Sequence, residues 1–286
     1  MDWLVTPLSD PPTQRALLGA VILAISAGPI GVFLMLRRLS LAGDVLSHAV
    51  LPGVAITFLF AGFSAVAMTL GGFVAGLIVA VLATLVSRIT IQREDSSLAA
   101  FYLISLSFGT LILTMNGSDE ELLHALFGDA LSLSVEGLIV VAVVATVSLA
   151  GLAVIWRGLV ADCLDPQFFR SVSKAGPAIS AAFMVLVVTN LVGGFQALGT
   201  LLAIGLLILP AVTARLWVRR LEPMCLLAAG IGLVSSVIGI LAGVPLAAPP
   251  GPAIILAAGA FYLLSLILAP HGLIRTRRPA RRHRIA

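Results

Sequence analysis

The chain has 286 residues, of which 60% are hydrophobic and 10% charged, with a mean hydropathy of +1.14. Soluble domains carry roughly 25% charged residues, so this composition excludes a water-soluble globular protein and indicates an integral membrane protein. The formal net charge of +4 does not mark a nucleic-acid binder, because the basic residues flank apolar runs instead of forming one patch.

The apolar runs suit helices of ~20 residues and show no strand alternation, and hydrocarbon admits only helices and closed barrels. An all-α, polytopic membrane helical bundle is expected. Nine spans are predicted, at about 15–36, 46–63, 65–87, 97–114, 134–156, 176–193, 197–217, 224–246 and 249–269. The first run begins only after Arg15 and has the length of a full span, which predicts no cleavable signal peptide. Arg37 and Arg38 follow span one, Arg88 and Arg93 span three, and Arg157, Arg170 and Lys174 span five. Arg215, Arg219 and Arg220 close span seven, and the tail holds the rest. All of the 17 basic residues except Arg15 therefore share one side, which predicts an N-terminus outside and a C-terminus in the cytoplasm.

The longest gaps, 115–133 outside and 157–175 inside, are too short for a soluble fold. Residues 1–286 form a single transmembrane domain, with a cytoplasmic loop at 157–175 and a basic tail at 275–286 drawn to anionic lipid. Cys163 and Cys225 lie beside cytoplasmic loops, so no disulfide is expected. The pairs Gly72/Gly76 and Gly239/Gly243 predict close helix packing.

Between the first two spans runs the polar octet from Ser40 to Ser47, leading into His48. Asp44, Ser47, His48 and Pro52 share one face of a helix, and a carboxylate beside an imidazole near hydrocarbon marks a pathway or a cofactor. Pro52 and Pro210 mark helix breaks, as does Gly28-Pro29, since a missing N–H frees an upstream carbonyl. Carboxylate plus imidazole suits zinc or manganese and suits magnesium and calcium poorly. The alternative is structural, with Asp44 as an N-cap and His48 bonded to a carbonyl. Asn190, Gln196 and Thr200, uncharged, are read as structural.

In the inner loop, Asp165-Pro166 is a helix start with Asp as N-cap and Pro at the first position. That helix carries Phe168 and Phe169 and ends near Arg170. It is either a connector on the bilayer surface or a plug into a cytoplasmic partner. Lys174, the only lysine, lies in SVSKAG without a phosphate-cradling GxxxxGK[ST] sequence. Any ATP-driven step therefore needs a separate ATPase subunit. Asp119, Glu120, Glu121 and His124 form an acidic outer segment, either an outer mouth that attracts cations or a solvated loop.

The run from Arg37 through Gly43, Asp44, Ser47 and His48 to Pro52 and Gly53 resembles the signature of the ABC-3 family of permeases, the membrane subunits of zinc, manganese and iron importers. Leu126 to Asp129, Asp165 to Arg170, Gly199 through Leu209 to Ala214, and Pro250 to Ile254 resemble the same family in order. The resemblance implies a homodimer in the inner membrane, cytoplasmic ABC ATPase subunits and an extracytoplasmic metal-binding protein. It further implies Asp44 and His48, with Ser47, as metal-pathway residues and Asp165, Pro166, Phe168, Phe169 and Arg170 as the ATPase-coupling helix. Zinc is the favoured cargo because neutral imidazole suits it, and no permanently bound cofactor is expected. Family members commonly carry a glycine after the coupling helix, where this chain reads Ser171 to Lys174. A siderophore or haem permease has no use for an Asp/His pair. An intramembrane metalloprotease would need three ligands and a general base, and no H-E-x-x-H occurs.

Overall fold

The computed structural model describes residues 10–39, 42–62, 64–89, 94–116, 131, 133–165, 169, 171, 173, 175–243 and 248–272, and no strand occurs among them. The helices in chain order are α1 (Pro11–Leu36), α2 (Ala42–Ala49), α3 (Leu51–Ala61), α4 (Ala65–Ile89) and α5 (Glu94–Asn116). They continue with α6 (Val135–Leu164), α7 (Gly176–Leu198), α8 (Thr200–Trp217), α9 (Leu221–Gly243) and α10 (Pro250–Leu268). Eight runs are long and apolar enough to cross a membrane, with α2 and α3 counted together. The 23 residues of α5 cover about 34 Å at the α-helical rise, the length of a further span, though α5 is not among those eight.

Helix ends follow local chemistry. The Asp10 carboxylate accepts from the Thr13 amide at 3.4 Å and the Thr13 hydroxyl at 2.9 Å. With prolines opening the first turn, this cap starts α1 at residue 11, four residues before the predicted position. The Ser134 hydroxyl accepts from the Gly137 amide and caps α6. That helix continues to Leu164, beyond the expected 156, and stops at Asp165, whose extended conformation suits a residue before proline.

At the other end of α1, Leu39 N–H donates to the Leu34 carbonyl and Arg38 N–H to Met35. This pairing closes a helix with a left-handed residue just past its end. Arg38 occupies that position at φ 62°, where glycine is favoured, while Leu34 and Leu39 are both buried beneath the turn. The side chain of Arg37 is thereby held at a fixed exit from α1.

The helices α1 and α7 form the centre, with 67% of each apolar window buried against 17% for α10. Around α1 pack α6, α7, α8 and α9, while α2 and α3 lean on α4 and α5. Without a hydrophobic drive between helices in lipid, small residues set the approach. A Cβ at Gly31 would strike the Leu207 carbonyl oxygen of α8, and one at Gly53 the Gly71 carbonyl oxygen of α4. The pairs predicted to pack do so: Gly76 lies against Val188 and Val50, Gly72 against Val54, and Gly239 and Gly243 against Ile254 and Ala253. Gly199 turns α7 into α8 within one residue, at φ 93°.

Because its obstacle is backbone rather than a movable side chain, Gly31→Val should destabilise the bundle by about 3 kcal/mol, the upper range for overpacking. Gly230→Ala meets nothing within 4 Å and should be silent. Thermal unfolding in detergent, read by the loss of monodisperse protein, checks the contrast.

Candidate functional site

The second span is not one helix. Pro52 has no N–H, so the His48 carbonyl cannot receive the helical bond from four residues ahead, and α2 ends at Ala49 with Val50 between it and α3. The Ala49 carbonyl accepts the Ser105 hydroxyl of α5 at 2.9 Å. Gly109, one turn further along α5, brings that helix so close that an added Cβ would stand 2.9 Å from the Pro52 nitrogen. The break is therefore packed and partly satisfied by α5, as irregular backbone at membrane depth must be.

On α2, Asp44 is exposed and His48 half-buried, while Ser47 is 5% exposed and Pro52 is buried. The predicted face thus divides: Ser47 turns inward and donates to the Asp44 carbonyl at 2.6 Å, leaving Asp44 and His48 towards open space one helical turn apart. Among the described residues neither the Asp44 carboxylate nor the His48 imidazole has a hydrogen-bond or ion-pair partner. The His48 ring lies 5.9 Å from that of Tyr102 on α5, tilted by 41°. A Cβ on Gly43 would stand 3.3 Å from Leu207, near the middle of α8, so Asp44 sits within the length of the bundle and not at its tip.

A second polar cluster lies at the end of the bundle where α1 and α6 finish and α7 begins. The Arg37 guanidinium reaches Asp162 of α6 at 2.5 Å and the Ser180 hydroxyl of α7 at 2.6 Å. Its central carbon lies 5.3 Å from the centre of the Phe183 ring. Both charged side chains are only 10% exposed. One turn up α1, Phe33 meets Trp156 edge-on at 5.1 Å and Phe183 at 6.3 Å. Three residues past Asp162, the exposed Asp165 offers its carbonyl to Phe169 N–H, and the Phe169 carbonyl accepts from Ser173 N–H. Phe169 is half-buried.

Pro166, Phe168, Arg170, Asp119, Glu120, Glu121 and His124 lie outside the described residues. Pro210 stays inside a continuous α8, buried, so it interrupts hydrogen bonding without ending the helix. Asn190 is 1% exposed and donates to Ser26 of α1 at 2.7 Å, a structural role as expected. Cys163 and Cys225 are free thiols. Sequence reasoning did not find Tyr102 and Ser105 beside α2, nor the Arg37–Asp162–Ser180 cluster. The one available signal was an isolated acidic residue in the last turn of an apolar span.

The whole bundle has known counterparts. A family model described as the ABC 3 transport family matches residues 9–269. The manganese import system permease protein ScaB of Streptococcus parasanguinis is 32% identical over 257 residues, covering 90% of both chains. The chelated iron transport system membrane protein YfeC of Yersinia pestis is 32% identical over 272 residues, covering 94% of this chain and 90% of its own. The solved structure of PsaBC from Streptococcus pneumoniae in complex with Fab superposes with a TM-score of 0.80 at 30% identity, covering 94% of this chain and 96% of that one. With a match across nearly its full length and a membrane bundle of the same architecture, the chain belongs to the ABC 3 transport family.

Proposed function

We propose that the chain is the permease subunit of an ATP-driven, binding-protein-dependent importer of a divalent transition metal, with manganese as cargo. The observation that carries this reading is the pair Asp44 and His48, one turn apart on α2, unpartnered among the described residues, beside a helix break inside the bundle. Similarity to a permease named for manganese and to a membrane protein named for chelated iron supports the metal class. Zinc, favoured on the imidazole alone, gives way to manganese for a chemical reason. The carboxylate and the backbone carbonyl freed by Pro52 make the donor set oxygen-rich, which suits manganese better.

Among the described residues no group of three or more His, Cys, Asp or Glu could hold a metal, so one copy supplies two strong ligands. Two copies facing each other would supply four, with two carboxylates offsetting the charge of a divalent ion in low dielectric. Such a site forms only while both halves are closed and comes apart when they rock. Transit requires this looseness: a nanomolar site, about −12 kcal/mol, would at ordinary association rates release its ion about once in 100 s. The cytoplasmic segment that begins at Asp165 is the docking helix for the ATPase, with Pro166 setting its start and Phe168, Phe169 and Arg170 meeting the partner.

In vesicles holding the permease, its ATPase and its binding protein, manganese uptake at limiting metal should exceed zinc uptake. The reverse order would make zinc the cargo. Asp44→Asn and His48→Ala should each lower uptake at least about tenfold, the equivalent of one lost ligand bond, and the double variant should be no worse. Full uptake by His48→Ala would make the imidazole structural.

Phe168→Ala with Phe169→Ala should abolish co-purification of the ATPase, since aromatic anchors are worth ~2 kcal/mol or more each. An intact complex would reduce the segment to a surface connector.

A reporter fused after Ala286 should be active only if it functions in the cytoplasm, as the one-sided basic residues require. Activity of a periplasmic reporter there would invert the topology.

A further inference from the structure

We propose that Arg37 is a positioning residue that transmits movement of the cytoplasmic segment 165–175 to the metal-bearing helix α2. The proposal rests on the importer reading above and names how that site is driven.

The argument is one of connectivity. Segment 165–175 leaves α6 three residues after Asp162 and enters α7 five residues before Ser180, and a single guanidinium nitrogen of Arg37 holds both side chains. Whatever pushes on that segment therefore acts on Arg37 from both of its ends. Arg37 in turn is the last residue of the turn that closes α1, pinned by the bonds from Arg38 and Leu39 back to Met35 and Leu34. Seven residues later comes Asp44, with Leu39 N–H-bonded back and the Ala42 N–H donating to the Leu39 carbonyl at 2.9 Å. The path from clasp to ligand is thus only seven residues long, and the Ala42-to-Leu39 bond ties the start of α2 back to the turn that closes α1. The guanidinium lies over the Phe183 ring, and Phe183 and Trp156 both meet Phe33 of α1 edge-on, so α1, α6 and α7 are packed together where Arg37 sits.

One further atom points to an element with two arrangements. Among the described residues, the second terminal nitrogen of Arg37 is buried and has no hydrogen-bond partner. A buried donor left unmade is costly, and it remains free to engage a different acceptor once α6 and α7 shift. The Asp162 carboxylate is engaged by Arg37, and a guanidinium has no acceptor atom with which to hold a metal; the part of Arg37 is to set where α2 stands.

The test uses the assembled complex with the ATPase, carrying Asp44→Cys with Cys163→Ala and Cys225→Ala, and follows labelling at position 44 by a small thiol reagent with and without ATP. The reagent reads movement of α2 whatever the cargo is. Labelling should change with nucleotide in this parent, and the change should shrink about 2- to 30-fold in Asp162→Asn and in Ser180→Ala, the effect expected at positions along a coupling network. In parallel, the otherwise unmodified Asp162→Asn and Ser180→Ala complexes should take up less metal per ATP hydrolysed, by a similar factor. Should Asp162→Asn fail to assemble, Ser180→Ala decides alone, since it removes one hydrogen bond from an otherwise intact pair. A nucleotide response at position 44 that persists in Ser180→Ala, or none in the parent, overturns the proposal. Absence of uptake of any metal with the nucleotide response at position 44 intact and Ser180-dependent would instead remove the importer reading and leave the link standing.

Discussion

Every backbone polar group in hydrocarbon needs a partner, and this requirement governs the rest of the molecule. It forces the chain into helices, and it restricts any departure from a helix to places where a neighbour can repair it. The interruption around Val50 is such a place. Ser105 takes the Ala49 carbonyl, and Gly109 lets α5 approach the peptide before Pro52. A large apolar side chain at either position would leave the break without that cover, and Pro52 would still keep the His48 carbonyl out of the helical ladder. The polar pair Asp44 and His48 thereby lies on a short helix of its own, Ala42–Ala49.

The same requirement explains the glycines. Helices in lipid gain little from expelling water from one another, so their association depends on close contact. At Gly31 against Leu207 and Gly53 against Gly71 the approach is backbone to backbone. These contacts fix α1 against α8 and α3 against α4, on either side of α2. Two of the closest backbone approaches in the bundle thus involve helices that neighbour α2, which ties the position of α2 to theirs.

Much of this was readable in the sequence, because hydropathy and charge are local properties. The spans, Asp44 beside His48, the break at Pro52 and the glycine pairs could all be located within windows of a few residues. Helix ends were less legible: Asp10 capped α1 earlier than its hydropathy indicated, and α6 ran on until Asp165. Contacts between distant segments were not legible at all. Arg37 and Asp162 are 125 residues apart, and as separate residues each looked like an ordinary charge at a membrane edge. Tyr102 and Ser105, inside an apolar run, gave no signal of their own; only the packing of α5 against α2 brings them beside His48 and Ala49.

The buried Arg37–Asp162 pair is hard to explain as a device for stability. Taking both charges out of water costs several kcal/mol per ion, and a well-packed apolar substitute is often as stable or more so. What an ion pair adds is direction and sharpness. Apolar contacts among Phe33, Trp156 and Phe183 decay gradually as helices shift, whereas a 2.5 Å charged hydrogen bond is either made or lost over a small displacement. Breaking it by moving one partner would strand a charge in low dielectric, at about 3–5 kcal/mol, unless the free guanidinium nitrogen finds a new acceptor. That combination favours discrete arrangements over a continuum. In the importer proposed above, which would alternate between two states, such a pair at the junction of α1, α6 and α7 has a use that an apolar plug would not supply, since the plug would hold the helices but let them drift.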